Sequence, residues 1–152
     1  MKNRIQKIDA FRITIERRKL ARDEKSVQKI FKVLEECGIP CECMAINIDW
    51  LAIVMREEER WKVKRFVEQL NRELSNTDIC INGKIVLLYL ENGQMTSRRI
   101  GMLISSLAIQ DVDIVMQRYI RCEDRLVIGT SVEDAGRAQE IIREVIASDY
   151  QA

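Results

Sequence analysis

Phe11-Arg12-Ile13-Thr14-Ile15-Glu16 sets an apolar residue at every second position. Val86-Leu87-Leu88-Tyr89-Leu90-Glu91 repeats the same phase 75 positions later. Strict alternation marks a half-buried strand. A fixed offset between two such strands marks an internal repeat, and a repeat governs every later reading. The segments WLAIVM (50–55) and RLVIGT (125–130) stand at the same offset of 75. So do two helical stripes: Val63, Phe66, Val67 and Leu70 against Ala138, Ile141, Ile142 and Val145. An earlier pair is offset by 73: Val27, Ile30, Phe31 and Leu34 against Ile100, Leu103, Ile104 and Leu107. The loop before that helix is therefore two residues shorter in the second copy, and the turn after it two longer.

Each copy reads strand, helix, strand, strand, helix. In the first, a strand over 11–16 precedes a helix over 25–37, which Gly38 and Pro40 stop. A strand over 39–46 turns at Asn47-Ile48-Asp49 into a strand over 50–55, since Asn and Asp favour turns. A helix over 57–74 opens on Glu57, Glu58 and Glu59, where the helix dipole favours acids. A short strand over 78–82 ends at the turn signal Asn82-Gly83. The second copy follows as a strand over 84–91, a helix over 97–108, strands over 112–121 and 124–130, and a helix over 132–147. It lacks a fourth strand, and the spare segment 4–8, with Ile5 and Ile8, is expected to supply it. The expectation is an α+β chain of two tandem ferredoxin-like βαββαβ units, antiparallel sheets with helices on one face. The units are 9–82 and 1–8 plus 83–152. Apolar residues on both faces of 85–90 imply a sheet covered on both sides.

Composition closes off several functions. The 152 residues carry 25 Lys+Arg and 24 Asp+Glu, a net charge of +1, which gives no basic excess for nucleic acid or an anionic membrane. Hydrophobic residues at 47% argue for a folded core rather than disorder. There is no histidine, which removes Ser-His-Asp and Cys-His catalysis and any zinc site needing imidazole. No paired carboxylates, nucleophile with base or phosphate loop emerges, so no catalytic residues, cofactor or metal are expected. The start of the chain lacks the apolar segment of a signal peptide, and no run approaches the roughly 18–20 residues that span a bilayer. A cytoplasmic protein with reduced thiols is the expectation for its five cysteines. Cys41 and Cys43 have the spacing of a metal clip, but no second ligand pair stands at zinc spacing. They read instead as small apolar residues on one face of a strand.

Two tandem βαββαβ units of this size resemble ACT regulatory domains, and above all the C-terminal regulatory region of aspartokinases. The resembling stretches are KIFKVLEECGIPCECMAIN (29–47) and KIVLLYLENGQMTSRRIGMLISSLA (84–108). The family also places a short strand ahead of the first unit that completes the second. No amino-kinase catalytic domain precedes the units in these residues. The resemblance implies a regulatory protein that binds an amino acid or related metabolite. Backbone N–H groups and a carboxylate in the loop between the first strand and first helix would hold it. Carried over residue by residue, that role falls on Arg22 and Asp23 in the first unit and on Asn92, Gly93, Gln94, Met95 and Thr96 in the second. The family's Gln-Asn pair after the second strand reads Ile46-Asn47 here, so only Asn47 keeps the pattern; Asn47 and the adjoining Ile48 join the binding candidates. The first loop, 17–24, has no glycine or proline, unlike the family's turn.

Several features have plainer readings beside these. The loop at 92–96 opens a helix and suits a small anion, or is an ordinary loop capped by Thr96 or Ser97. The basic clusters Arg17-Arg18-Lys19 and Arg98-Arg99 suit solvated loops as well as an anion. Trp61 lies off its helix stripe and suits an interface or plain packing. The expected function is therefore a non-catalytic regulator of an amino-acid biosynthetic enzyme, homodimeric through exposed edge strands. The alternative is an assembly subunit with degenerate ACT sites. An RNA-binding module of the same plan is disfavoured, because Trp50 is the one aromatic in either third strand.

Overall fold

A computed structural model describes residues 4–91 and 95–151. The chain divides into two compact units, Ala10–Lys84 and Met1–Asp9 with Ile85–Ala152. Two long strands each serve both: β1 (Arg4–Glu16) and β4 (Asp78–Glu91).

In the first unit, the end of β1 leads through a 3-10 turn (Leu20–Arg22) into α1 (Glu24–Glu36). Then come β2 (Cys43–Ile46), β3 (Trp50–Arg56), a 3-10 segment (Glu57–Lys62), α2 (Val63–Glu73) and the start of β4. The strand order is β2-β3-β1-β4, the ferredoxin-like order. β1 and β3 run antiparallel from Ala10 opposite Arg56 to Glu16 opposite Trp50. Phe11, Ile13 and Ile15 are fully buried on one face, against Ile30, Val33 and Leu34 of α1 and Val63, Phe66 and Leu70 of α2. Both helices thus cover the same face.

The second unit runs β4, α3 (Ser97–Ile109), β5 (Ile114–Ile120), β6 (Arg125–Ser131) and α4 (Ala135–Gln151). Its order is β1-β4-β6-β5, so the start of β1 supplies the strand that the second repeat lacks. Ile5 packs on the core formed by Val86, Leu88, Leu90, Leu103, Leu107 and Ile128. On the opposite face, Met116 of β5 lies across Gly129. A Cβ at Gly129 would stand 2.5 Å from Met116 Cγ and 3.3 Å from Leu87 Cδ2, so a side chain here would force Met116 to shift.

The structure corrects several local expectations. Segments 4–8 and 11–16 are one strand, and so are 78–82 and 84–91. Asn82-Gly83 makes no turn: Thr14 Oγ1 donates to Asn82 Oδ1 at 2.9 Å, which holds Asn82 in the sheet beside β1. The second strand begins at Cys43, so Cys41 precedes it. Burial, and then the neighbouring Glu42, push the Cys41 thiol up to about 11, which suits an inert apolar residue and not a thiolate ligand. The helix expected from residue 57 starts as a 3-10 segment, tightened by Arg60 pairing back to Glu57 and Lys62 to Glu59. On α1, Phe31 is 41% exposed and Val33 takes its place in the core. Trp61 is 78% exposed, with Lys62 Nζ 5.4 Å from its ring. No helix among the described residues is long and apolar enough to cross a membrane.

Phe66 and Phe31 therefore differ in cost. Phe66→Ala is expected to lose about 3–5 kcal/mol of stability in urea denaturation, and Phe31→Ala well under half of that.

Candidate functional site

In each unit, a backbone N–H ahead of the first helix donates to an aspartate immediately ahead of the third strand. In the first unit, Lys19 N donates to Asp49 Oδ1 at 2.8 Å. Arg17 N donates to Asp49 O at 2.9 Å, and Ala21 N to Ile48 O at 3.0 Å. In the second unit, Met95 N donates to Asp124 Oδ1 at 2.9 Å. Asp49 and Asp124 are 75 apart, the repeat offset itself. The sequence alone marks Asp49 as a turn residue and Asp124 as the start of a strand; their shared offset is the signal that pairs them. A short polar residue at such a turn accepts a hydrogen bond and tolerates left-handed backbone; Asp124 adopts it, at φ 44.

The first loop is closed on itself. Lys19 is left-handed at φ 57 where a glycine is the usual solution. Leu20 N, Arg22 N and Asp23 N donate to Arg17 O, Lys19 O and Leu20 O. Across 17–23, every backbone N–H except that of Arg18 is thus given to another part of this unit. Asp23 caps α1: Ser26 N donates to its Oδ1 at 3.2 Å and Ser26 Oγ to its Oδ2 at 2.6 Å. Arg17 Nε lies 3.6 Å from Asp23 Oδ2. Arg17 Nη1 also donates to Ser75 O and, at 3.4 Å, to Thr77 Oγ1. One guanidinium thereby joins the loop, the cap and the approach to β4. The Ser26 hydroxyl and N–H, then the Arg17 charge, hold the Asp23 carboxyl below the usual carboxylate range.

Of the residues expected to bind, Arg22, Asp23, Asn47 and Ile48 fall at this end of the first unit, where the Ala21–Ile48 bond joins the two segments. Arg22 is exposed. Asn47 shapes its own turn, Asn47 N donating to Trp50 O at 2.8 Å and Ile48 N to Asn47 Oδ1. Met95 and Thr96 belong to the second unit. Met95 is buried in its core, and Thr96 caps α3 by accepting from Arg99 N at 3.2 Å. Tyr119 Oη donates to Met95 O at 3.2 Å and lies 3.4 Å from Asp124 Oδ1. Burial and then Asp124 raise the Tyr119 hydroxyl above its ordinary range, so it stays a donor. Asn92, Gly93 and Gln94 lie outside the described residues. Among the described residues, no group of His, Cys, Asp and Glu could hold a metal ion.

The first unit also has a cavity of about 430 Å³. Glu16, Arg17 and Arg18 line it from the end of β1, Asp49 and Trp50 from the start of β3, and Asn76 and Asp78 from the start of β4.

No protein-family model and no curated protein sequence matches the chain. Solved structures do match. The aspartate kinase of Clostridium acetobutylicum superposes with a TM-score of 0.76 at 19% identity, over 93% of this chain and 34% of its own. The regulatory subunit of aspartate kinase from Thermus flavus gives 0.73 at 14%, over 95% of this chain and 97% of its own. E. coli aspartokinase III gives 0.62 at 10%, over 97% of this chain and 32% of its own. The chain thus spans about a third of the whole kinases and nearly all of the regulatory subunit. The likeness is one of fold: the chain is built like the ACT regulatory region of aspartate kinases, not like their catalytic domain.

Two tests follow from the loop. Asp49→Ala leaves Lys19 N–H without its acceptor and is expected to cost about 1 kcal/mol in urea denaturation. Asp23 has a folded pKa below its unfolded one, so its contribution is complete above about pH 4 and fades as pH falls through the lowered value. The gap in Tm between the native chain and Asp23→Ala should be widest near neutral pH and close in acid.

Proposed function

We propose that the chain is a non-catalytic regulatory protein that binds an amino acid or related small metabolite through its ACT units and modulates an amino-acid biosynthetic enzyme. The observation that carries this is the match to a regulatory subunit over nearly the full length of both chains. A protein of that architecture has its own core and does its work by binding. The E. coli aspartokinase III structure holds lysine and aspartate, which supports an amino acid as the class of effector.

Self-association belongs to the same reading. β2 is the edge strand of the first unit; Met44 and Ile46 on it are 41% and 52% exposed, and Ile48 in the adjoining turn is 53% exposed. An apolar edge of this kind recruits a second strand. A homodimer paired through β2 accounts for it.

A second reading has its own support. The self-satisfied amides of 17–23 favour an assembly subunit whose first loop no longer binds. RNA binding has less: the lone third-strand aromatic, Trp50, stands directly opposite Glu16, whose carboxylate repels phosphate.

A thermal-shift panel of the twenty amino acids tests the regulatory reading. A true effector at about 100-fold over its Kd adds roughly 2.7 kcal/mol, a rise of several degrees. One selective hit supports regulation, and a flat panel favours the assembly subunit. Sedimentation should show a dimer that Ile46→Lys converts to monomer; an unchanged dimer would place the interface elsewhere.

A further inference from the structure

We propose that the first unit takes its effector on the sheet face opposite its helices, in the cavity walled by Trp50, and that the ligand is a free zwitterionic amino acid. This rests on the amino-acid-binding reading and gives it a site.

The loop that opens α1 has little left to offer a ligand. A carboxylate held by backbone amides needs amides that are not already donating. Across 17–23 only Arg18 N–H meets that condition. A ligand amine needs a carboxylate, and both oxygens of Asp23 are engaged by Ser26, with Arg17 alongside. Displacing these bonds exchanges like for like and gains almost nothing.

The opposite face is different. The alternation that buries Phe11, Ile13 and Ile15 sends Glu16 to the other side of β1. Trp50 lies directly across from Glu16. The Thr14–Asn82 bond fixes the phase of β4, so that Asp78 shares this face. Within the cavity, Arg17 and Asp49 are committed to the loop. The side chains of Glu16, Asp78 and Arg18 make no hydrogen bond or ion pair among the described residues. The open groups are one guanidinium, two carboxylates, an indole and the Asn76 amide. A guanidinium suits a carboxylate, a carboxylate suits an ammonium, and an indole face suits an aliphatic or cationic side chain. That set is the complement of an α-amino acid. It does not suit a simple anion, which the two carboxylates repel, or a metal ion, which Arg18 repels. The volume of about 430 Å³ falls within the usual range of small-molecule sites.

The test starts with the panel hit on the native chain, measured by isothermal titration. Glu16→Gln, Asp78→Asn and Arg18→Met each remove one charge-assisted contact and should weaken that hit about tenfold or more, with melting of the unliganded protein unchanged. A Trp61→Phe chain, with all cavity side chains intact, should report the same binding through Trp50 fluorescence with the same midpoint. Full affinity in all three variants, with silent Trp50 fluorescence, would overturn this site and leave the regulatory reading standing. A flat panel on the native chain would overturn both.

Discussion

Alternation along β1 is the constraint on which the first unit depends. Three fully buried side chains at every second position, Phe11, Ile13 and Ile15, commit one face of the strand to the helices. The same commitment fixes where Arg12, Thr14 and Glu16 stand. A slip of one residue would exchange the two sets and put charge into the core, which is the strongest specification of register a sheet can have. Core and cavity are thus two results of one pattern. Apolar residues decide where polar ones are available, and Glu16 meets Trp50 because Ile15 meets Leu51.

The backbone ahead of each first helix meets a second device, a carboxylate at the turn before the third strand. It acts at Asp49 and again at Asp124. Its effect is to move the job of ordering a loop from the loop's own sequence to a hairpin that is distant along the chain. The first loop can dispense with glycine because tertiary hydrogen bonds compensate for the left-handed residue at Lys19. Arg17 adds a further tie to the approach of β4. Lysine could not substitute there, since Arg17 reaches Asp23 with Nε while Nη1 serves Ser75 and Thr77.

The sequence made the fold legible because the repeat is written in hydrophobic phase. Offsets of 75 and 73 between stripes were enough to order the elements and to show that the second copy lacked a strand. What escaped was local and had a physical cause each time. Asn82-Gly83 carries a turn signal, but Thr14 offers Asn82 a partner in the sheet, and pairing outweighs propensity. Phe31 fits a helical stripe, yet α1 is rotated so that Val33 faces the core. Cys41 has the phase of a strand residue, but β2 begins two residues later. Which candidate side chains are already engaged was not legible. Resemblance pointed to Asp23, a residue whose hydrogen bonds are spent on capping α1, while Asp49 waited in the repeat as an ordinary turn residue. Carboxylates look alike in sequence; which ones are engaged depends on neighbours that only folding assembles.

The left-handed residues carry a consequence for how the chain folds. Lys19, Asn76, Asp111 and Asp124 all have positive φ, and none is glycine. Each costs on the order of 1 kcal/mol or more until surrounding structure compensates. Lys19 is compensated by Asp49, thirty residues further along, so its turn has no reason to persist before the β2–β3 hairpin exists. Ordering of the first loop is therefore coupled to the β2–β3 hairpin. The stability of the loop is thereby tied to a hairpin that follows α1 in the chain.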